Sequence, residues 1–221
     1  MDALDAPLME ALQRREAIRA GVRLEVVTVV WMLVEAILAI GAGVTARSVL
    51  LTAFGFDSVI ELLSGATLLW RQSDEARGST GSRTEQVERR ATVISAVLLV
   101  LLCLYLVFVG LAGLLTGSRP EGSTLGVGVS AAAVLVMPIL ALRKRRANRT
   151  IGSAALRADI AETVTCAYLA AATLAGAGVN LLLGWWWAEY VAAVALLILI
   201  ARETREAIEE ARERRGHSGS D

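Results

Sequence analysis

Histidine occurs once in the 221 residues, at His217, cysteine twice, at Cys103 and Cys166, and proline three times. Two cysteines inside apolar stretches exclude a disulfide scaffold and the common four-cysteine zinc folds. A lone histidine near the end of the chain excludes a His-rich loop. Net charge is also missing, because 22 basic residues balance 22 acidic ones. That balance excludes a strongly basic nucleic-acid binder and an acidic disordered tail protein. No Walker motif or other nucleotide signature appears, so nucleotide hydrolysis cannot be the energy source. No Ser/His or metal–water constellation appears either, and an enzyme is not expected. Lysine is nearly absent, one residue against 21 arginines, a compositional hint of a GC-rich bacterial genome. What is abundant is apolar surface. Apolar residues reach 55 % and mean hydropathy is +0.57, against about 45–50 % apolar in ordinary soluble domains.

A helix crossing a bilayer needs about 20 apolar residues. Stretches at 24–44, 48–70, 91–115, 122–142, 151–183 and 185–201 satisfy this. The basic residues alternate with them. Nineteen of the 22 fall in residues 1–23, 71–90, 143–150 and 202–215, while the other connections hold only Arg47 and Arg119. The positive-inside rule then predicts an all-α bundle of six transmembrane helices with both termini cytoplasmic. Residues 1–23 form a lead-in, 24–201 the transmembrane domain and 202–221 a short tail. Residues 1–21 are too charged for a signal peptide, and 7–20 read as an amphipathic helix at the membrane surface. The loop 71–90 reads as flexible around 78–81. Trp185, Trp186, Trp187 and Tyr190 match an interfacial aromatic belt. Pro138 should kink the fourth span or free a carbonyl. Gly122 and Gly126 form GxxxG there, and Gly110 and Gly113 lie late in the third span. Small residues of this kind allow close helix approach, within one chain or in a homodimer through transmembrane helices.

Ionisable groups inside a bilayer are costly and mark function by default. Glu35, Asp57, Glu61 and Glu162 lie at depth, with Asp159 nearer an end, and no Lys or Arg lies at comparable depth. The acids are therefore expected to lack a protein cation. They must be protonated, hydrogen-bonded or bound to a cation from outside. At about 1.5 Å per residue, Asp57 lies about 14 Å and Glu61 about 20 Å from the entry near Ser48, and Glu162 about 16 Å and Cys166 about 22 Å from the entry near Ile151. All four approach the midplane of a core about 30 Å thick. Asp57 and Glu61 are spaced i, i+4, as are Glu162 and Cys166, so each pair stacks on one helix face. Two facing helices would offer three carboxylates and a thiol, enough for a tetrahedral divalent-metal site. Cys103 has no acidic neighbour at helical spacing and reads as structural. Asp159 is open between an ion-entry role and a helix N-terminal charge. Glu35 is open between joining the site, relaying protons and hydrogen-bonding a neighbour's Ser or Thr. Offset by 105 residues, Ser48, Leu51, Ala53 and Val59 match Ser153, Leu156, Ala158 and Val164, and Asp57 meets Glu162. With one segment running inward and the other outward, this has the form of an inverted repeat around a midplane site.

The stretch ARSVLLTAFGFDSVIELLSG resembles the second span of the cation diffusion facilitators. GSAALRADIAETVTCAYLAAATLAGAGVN resembles their fifth, and GWWWAEY with the following helix their sixth. The resemblance covers essentially all six spans. It implies that two acids of the second span and two ligands of the fifth bind the transported metal, which here are Asp57, Glu61, Glu162 and Cys166. The departures are that Glu162 stands where the family carries His or Asp, and Cys166 where it carries a second acid. The chain ends at Asp221, leaving no room for the family's cytoplasmic metal-binding domain.

The expected activity is export of a divalent transition metal, Zn²⁺ first with Cd²⁺ or Co²⁺ as alternatives, since three oxygens and a sulfur suit these ions. Mg²⁺ favours octahedral oxygen sites and fits less well. Metal binding requires deprotonated ligands, so protons would drive release by antiport, with alternating access around the fixed site. No prosthetic group is expected; the partners are the metal, protons and the lipid bilayer, with the bacterial cytoplasmic membrane as location. Two other readings remain: a proton-coupled exporter of organic cations, and a membrane metal-binding subunit that transports nothing.

Overall fold

The computed structural model describes residues 5–76, 82–152 and 154–216. They form α1 (Asp5–Ala46), α2 (Val49–Ala76), α3 (Ser82–Thr116), α4 (Thr124–Ile151), α5 (Ala154–Leu183) and α6 (Trp187–Gly216). No strand occurs among the described residues, so the fold is all-α as expected. Residues 78–81 and His217 lie outside the described residues.

Five helices contain a segment long and apolar enough to cross a membrane: Arg19–Ala46, Val49–Trp70, Ala96–Thr116, Thr124–Ile151 and Asp159–Leu183. In α6, Glu189 at one end and Arg202 and Glu203 at the other leave only 190–201 free of charge. The outward faces are apolar, with Phe108, Leu115, Leu135, Tyr168 and Leu182 each more than three-fifths exposed. In water such faces would be aggregation surfaces; against acyl chains they are solvated. This is an integral membrane protein.

The segment 7–20 is not a separate surface helix, because α1 runs unbroken from Asp5 to Ala46. Its buried positions recur at Gly21, Glu25, Thr28, Met32, Glu35, Ala39, Ala42 and Ala46. That 3–4 spacing is one stripe of a helix, and it carries two acids, Glu25 and Glu35, toward the bundle interior. Helix α2 is central and packs on α1, α3, α5 and α6. Between Leu50 and Glu61 only Phe56 is exposed. Small residues let α1 and α2 approach closely. A Cβ on Gly43 would lie 2.5 Å from the Thr52 nitrogen, and one on Gly55 would lie 2.7 Å from the Ile40 nitrogen.

The expected GxxxG face of the fourth span does not form, because Gly122 precedes the helix, which is capped by Ser123 accepting from the Gly126 amide at 3.0 Å. Gly122 and Gly126 instead make room for Leu181 and Leu51, and Gly113 for Tyr190, while nothing stands near Gly110. Pro138 lies inside α4 without ending it.

The end of the bundle bearing the tryptophans is held by a hydrogen-bonded knot. Glu189 of α6 is 3 % exposed. It accepts from Ser48 at the start of α2 and from Asn180 of α5. Asn180 also donates to the Pro120 carbonyl at 3.1 Å, and the Glu121 amide to the Ala46 carbonyl at 2.8 Å. Tyr190 donates to the Ser118 carbonyl at 2.8 Å. Trp185 and Trp187 are each 49 % exposed and stack on one another, as an interfacial belt requires. Asn180→Ala should leave one Glu189 oxygen and the Pro120 carbonyl without their donor. We expect a loss of about 1–3 kcal/mol, read as a lowered Tm of the detergent-solubilised protein. An unchanged Tm would mean that water replaces the amide.

Candidate cation site

Asp57 and Glu61 stand one turn apart on α2 and are 1 % and 7 % exposed. All four of their carboxylate oxygens are buried and none has a hydrogen-bond partner. Buried polar atoms in native proteins are nearly always paired, so an unpaired cluster asks for an explanation. The neighbours do not neutralise them. Asp57 feels the negative charges of Glu203, Glu35 and Glu162, and Glu61 those of Asp57, Glu203 and Glu35.

Helix α5 brings Cys166 to the same place. Its thiol is fully buried, faces Glu61, Glu35 and Asp57, and donates to Glu35 Oε1 at 3.8 Å. Glu35 itself is tied down. Its Oε1 accepts from the Ser58 hydroxyl at 2.8 Å and its Oε2 from the Trp31 indole at 2.6 Å. Of the roles open to Glu35 from sequence, hydrogen bonding to a neighbouring serine is therefore present, and contact with the site comes with it.

Glu162 sits on the side of Glu61 that leads toward the Arg-rich end. Its carboxylate accepts from the Ser64 hydroxyl at 3.0 and 3.2 Å. Glu61 and Glu162 both line a cleft together with Thr28, Val29, Met32, Gly65, Asp159 and Thr163. Glu162 is turned to Ser64, and the four groups do not close on a point. Among the described residues no three His, Cys, Asp or Glu side chains stand close enough together to hold a metal ion.

One expectation is corrected. Asp159 does have a protein cation. Lys144, counted from sequence in a charged connection, lies within α4 and is fully buried. Its ammonium is 2.7 Å from Asp159 Oδ2 and 2.9 Å from Glu25 Oε2. Glu203 lies just beyond the sixth apolar stretch, which ends at 201. Its Oε2 is buried without a partner. Cys103 packs against the main core, with its sulfur 3.5 Å from the Thr204 hydroxyl.

A lipid-facing helical bundle with partnerless carboxylates at its centre has the build of a membrane protein that handles cations. The chain belongs to the cation efflux family, since the model of the cation efflux transmembrane domain matches residues 26–213. It is a cation transporter of the integral-membrane kind. No curated protein sequence matches the chain.

Proposed function

We propose that the protein exports a divalent transition metal, Zn²⁺ first, from the cytoplasm in exchange for protons. Asp57, Glu61, Glu162 and Cys166 supply the ligands. The observation that carries this reading is the set of four buried, partnerless oxygens on Asp57 and Glu61. In hydrocarbon such oxygens are stable only when a cation or a proton occupies them. Because a metal binds the deprotonated form, the two occupants exclude each other, and that exclusion is what couples their movements. The concentration of basic residues at the ends of α2, α4 and α6 and the start of α1 supports a cytoplasmic placement of that end. The same placement puts both termini inside.

Proteoliposomes loaded with a Zn²⁺ indicator test the proposal. Zn²⁺ flux should rise with an imposed pH gradient of opposite direction, and Cd²⁺ and Co²⁺ should compete. Absence of flux for every metal, or flux indifferent to the gradient, would overturn it. The thiol makes a narrower prediction. Soft ligands select soft ions, so Cys166→Ser should lower Cd²⁺ transport by about tenfold more than Zn²⁺ transport. Equal losses for the two metals would remove Cys166 from the ligand set.

A further inference from the structure

Among 22 basic residues Lys144 is the only lysine. It is also the only cation among the fully buried side chains of the described residues. Arg143, Arg145 and Arg146 around it are exposed. It ties α4 to α1 through Glu25 and to α5 through Asp159, whose two oxygens lie 2.7 and 2.9 Å away.

The acids around it are not all used up by the ammonium. Glu25 is completely buried, and its Oε1 has no hydrogen-bond partner. That oxygen points at Gly65, where a Cβ would stand 2.9 Å from it. Gly65, Asp159, Glu162 and Glu61 line one cleft. A glycine thus keeps open the space between the free oxygen and the cleft that reaches the central carboxylates. Two carboxylates, Glu25 and Asp159, meet the one ammonium there, and Glu162 lines the cleft beside Asp159.

The choice of lysine in an arginine-rich chain fits exchange. A guanidinium locks onto carboxylates as a planar fork, whereas an ammonium is a compact point charge on a flexible stem. It can withdraw when another cation takes its oxygens. We propose that Glu25 and Asp159 form a second site for a divalent cation, a staging site between the Arg-rich end and Asp57 and Glu61, which the Lys144 ammonium fills between passages. Its place in the traffic rests on the transport reading above, whereas its ability to bind a cation does not.

Two measurements on the full-length chain in nanodiscs test this, with Zn²⁺ alone as the probe. The first uses a background of Asp57→Asn with Cys166→Ala, which weakens the central site and leaves the cleft lining intact. There, Lys144→Met should bind Zn²⁺ at least about tenfold more tightly than its parent, because the orphaned buried acids seek a cation. Adding Asp159→Asn should remove that gain. A folded Lys144→Met protein with no gain, or a gain that survives Asp159→Asn, overturns the staging site. The second needs no substitution and decides the matter if Lys144→Met fails to fold. Lys144 is the sole side-chain amine, so an acylating reagent reports on it alone, with the α-amino group as internal standard. Saturating Zn²⁺ should raise its labelling rate at least about tenfold, since labelling follows the population in which the buried group is released. An unchanged or lowered rate overturns the proposal. Failure of the transport reading looks different: Zn²⁺ then crosses no membrane, while both of these signals persist.

Discussion

Asp57→Asn should cut Zn²⁺ flux in proteoliposomes to below about one hundredth of the unsubstituted protein, given that losing even an outer-shell partner of a metal costs about 10–100-fold. The same substitution should leave the fold intact or strengthen it. The Asp57 oxygens make no hydrogen bond, so no internal partner is orphaned when they go, and a buried charge among other acids is relieved. The expected signature is therefore an inactive protein with an unchanged or raised Tm. A structural carboxylate would behave in the opposite way, with lowered Tm and flux falling only with the amount of folded protein. Undiminished flux would remove Asp57 from the cation site altogether.

Gly55→Val should have the largest effect on folding. The added Cβ would meet the Ile40 nitrogen at 2.7 Å and the Ala39 carbonyl carbon at 3.2 Å. Backbone atoms cannot turn aside as a side chain can, so α1 and α2 must separate. Overpacking ordinarily costs about 1–3 kcal/mol, and a contact with main chain at the central helix belongs at or above the top of that range. Most of the Gly55→Val protein should run as aggregate on size exclusion. Gly128→Ala serves as the contrast, because nothing stands within 4 Å of the atom it adds. It should be neutral or slightly stabilising, since alanine exceeds glycine in helix propensity by about 1 kcal/mol. Equal behaviour of the two variants would mean that the α1–α2 crossing is looser than its geometry.

The helices and the central acids were legible because both are written in long-range contrast. Apolar runs of bilayer length stand out from arginine-rich connections, and a carboxylate inside such a run stands out at once. Lys144 is hidden for the same reason. Its neighbours in sequence are arginines, which mask it in a charged run, whereas helix geometry turns it about 100° away from each. The signal that could have found it is periodic. Ala133, Met137, Leu140, Ala141, Lys144 and Asn148 form the buried stripe of α4, and continuing the apolar face past residue 141 lands on the lysine. Glu25 follows from the 3–4 stripe of α1 in the same manner. Glu203 falls outside because the apolar run ends where charges begin, although helix α6 continues to Gly216. The placement of Glu162 beside Ser64 could not be foreseen. It depends on which rotational face α5 turns to α2, and two acids per helix fit several such rotations.

The knot around Glu189 has a consequence for timing. One carboxylate is the common acceptor for α2 and α5, so neither helix can leave it without stranding a buried charge half-paired. Intermediate degrees of opening at the tryptophan end are then the least stable ones. Movement there should come as jumps between long dwells rather than as a continuous swing. A pair of dyes on the 47–48 and 184–186 turns, followed one molecule at a time, should report discrete levels. Shortening of the dwells in Asn180→Ala would mark the amide as part of the clasp that sets them.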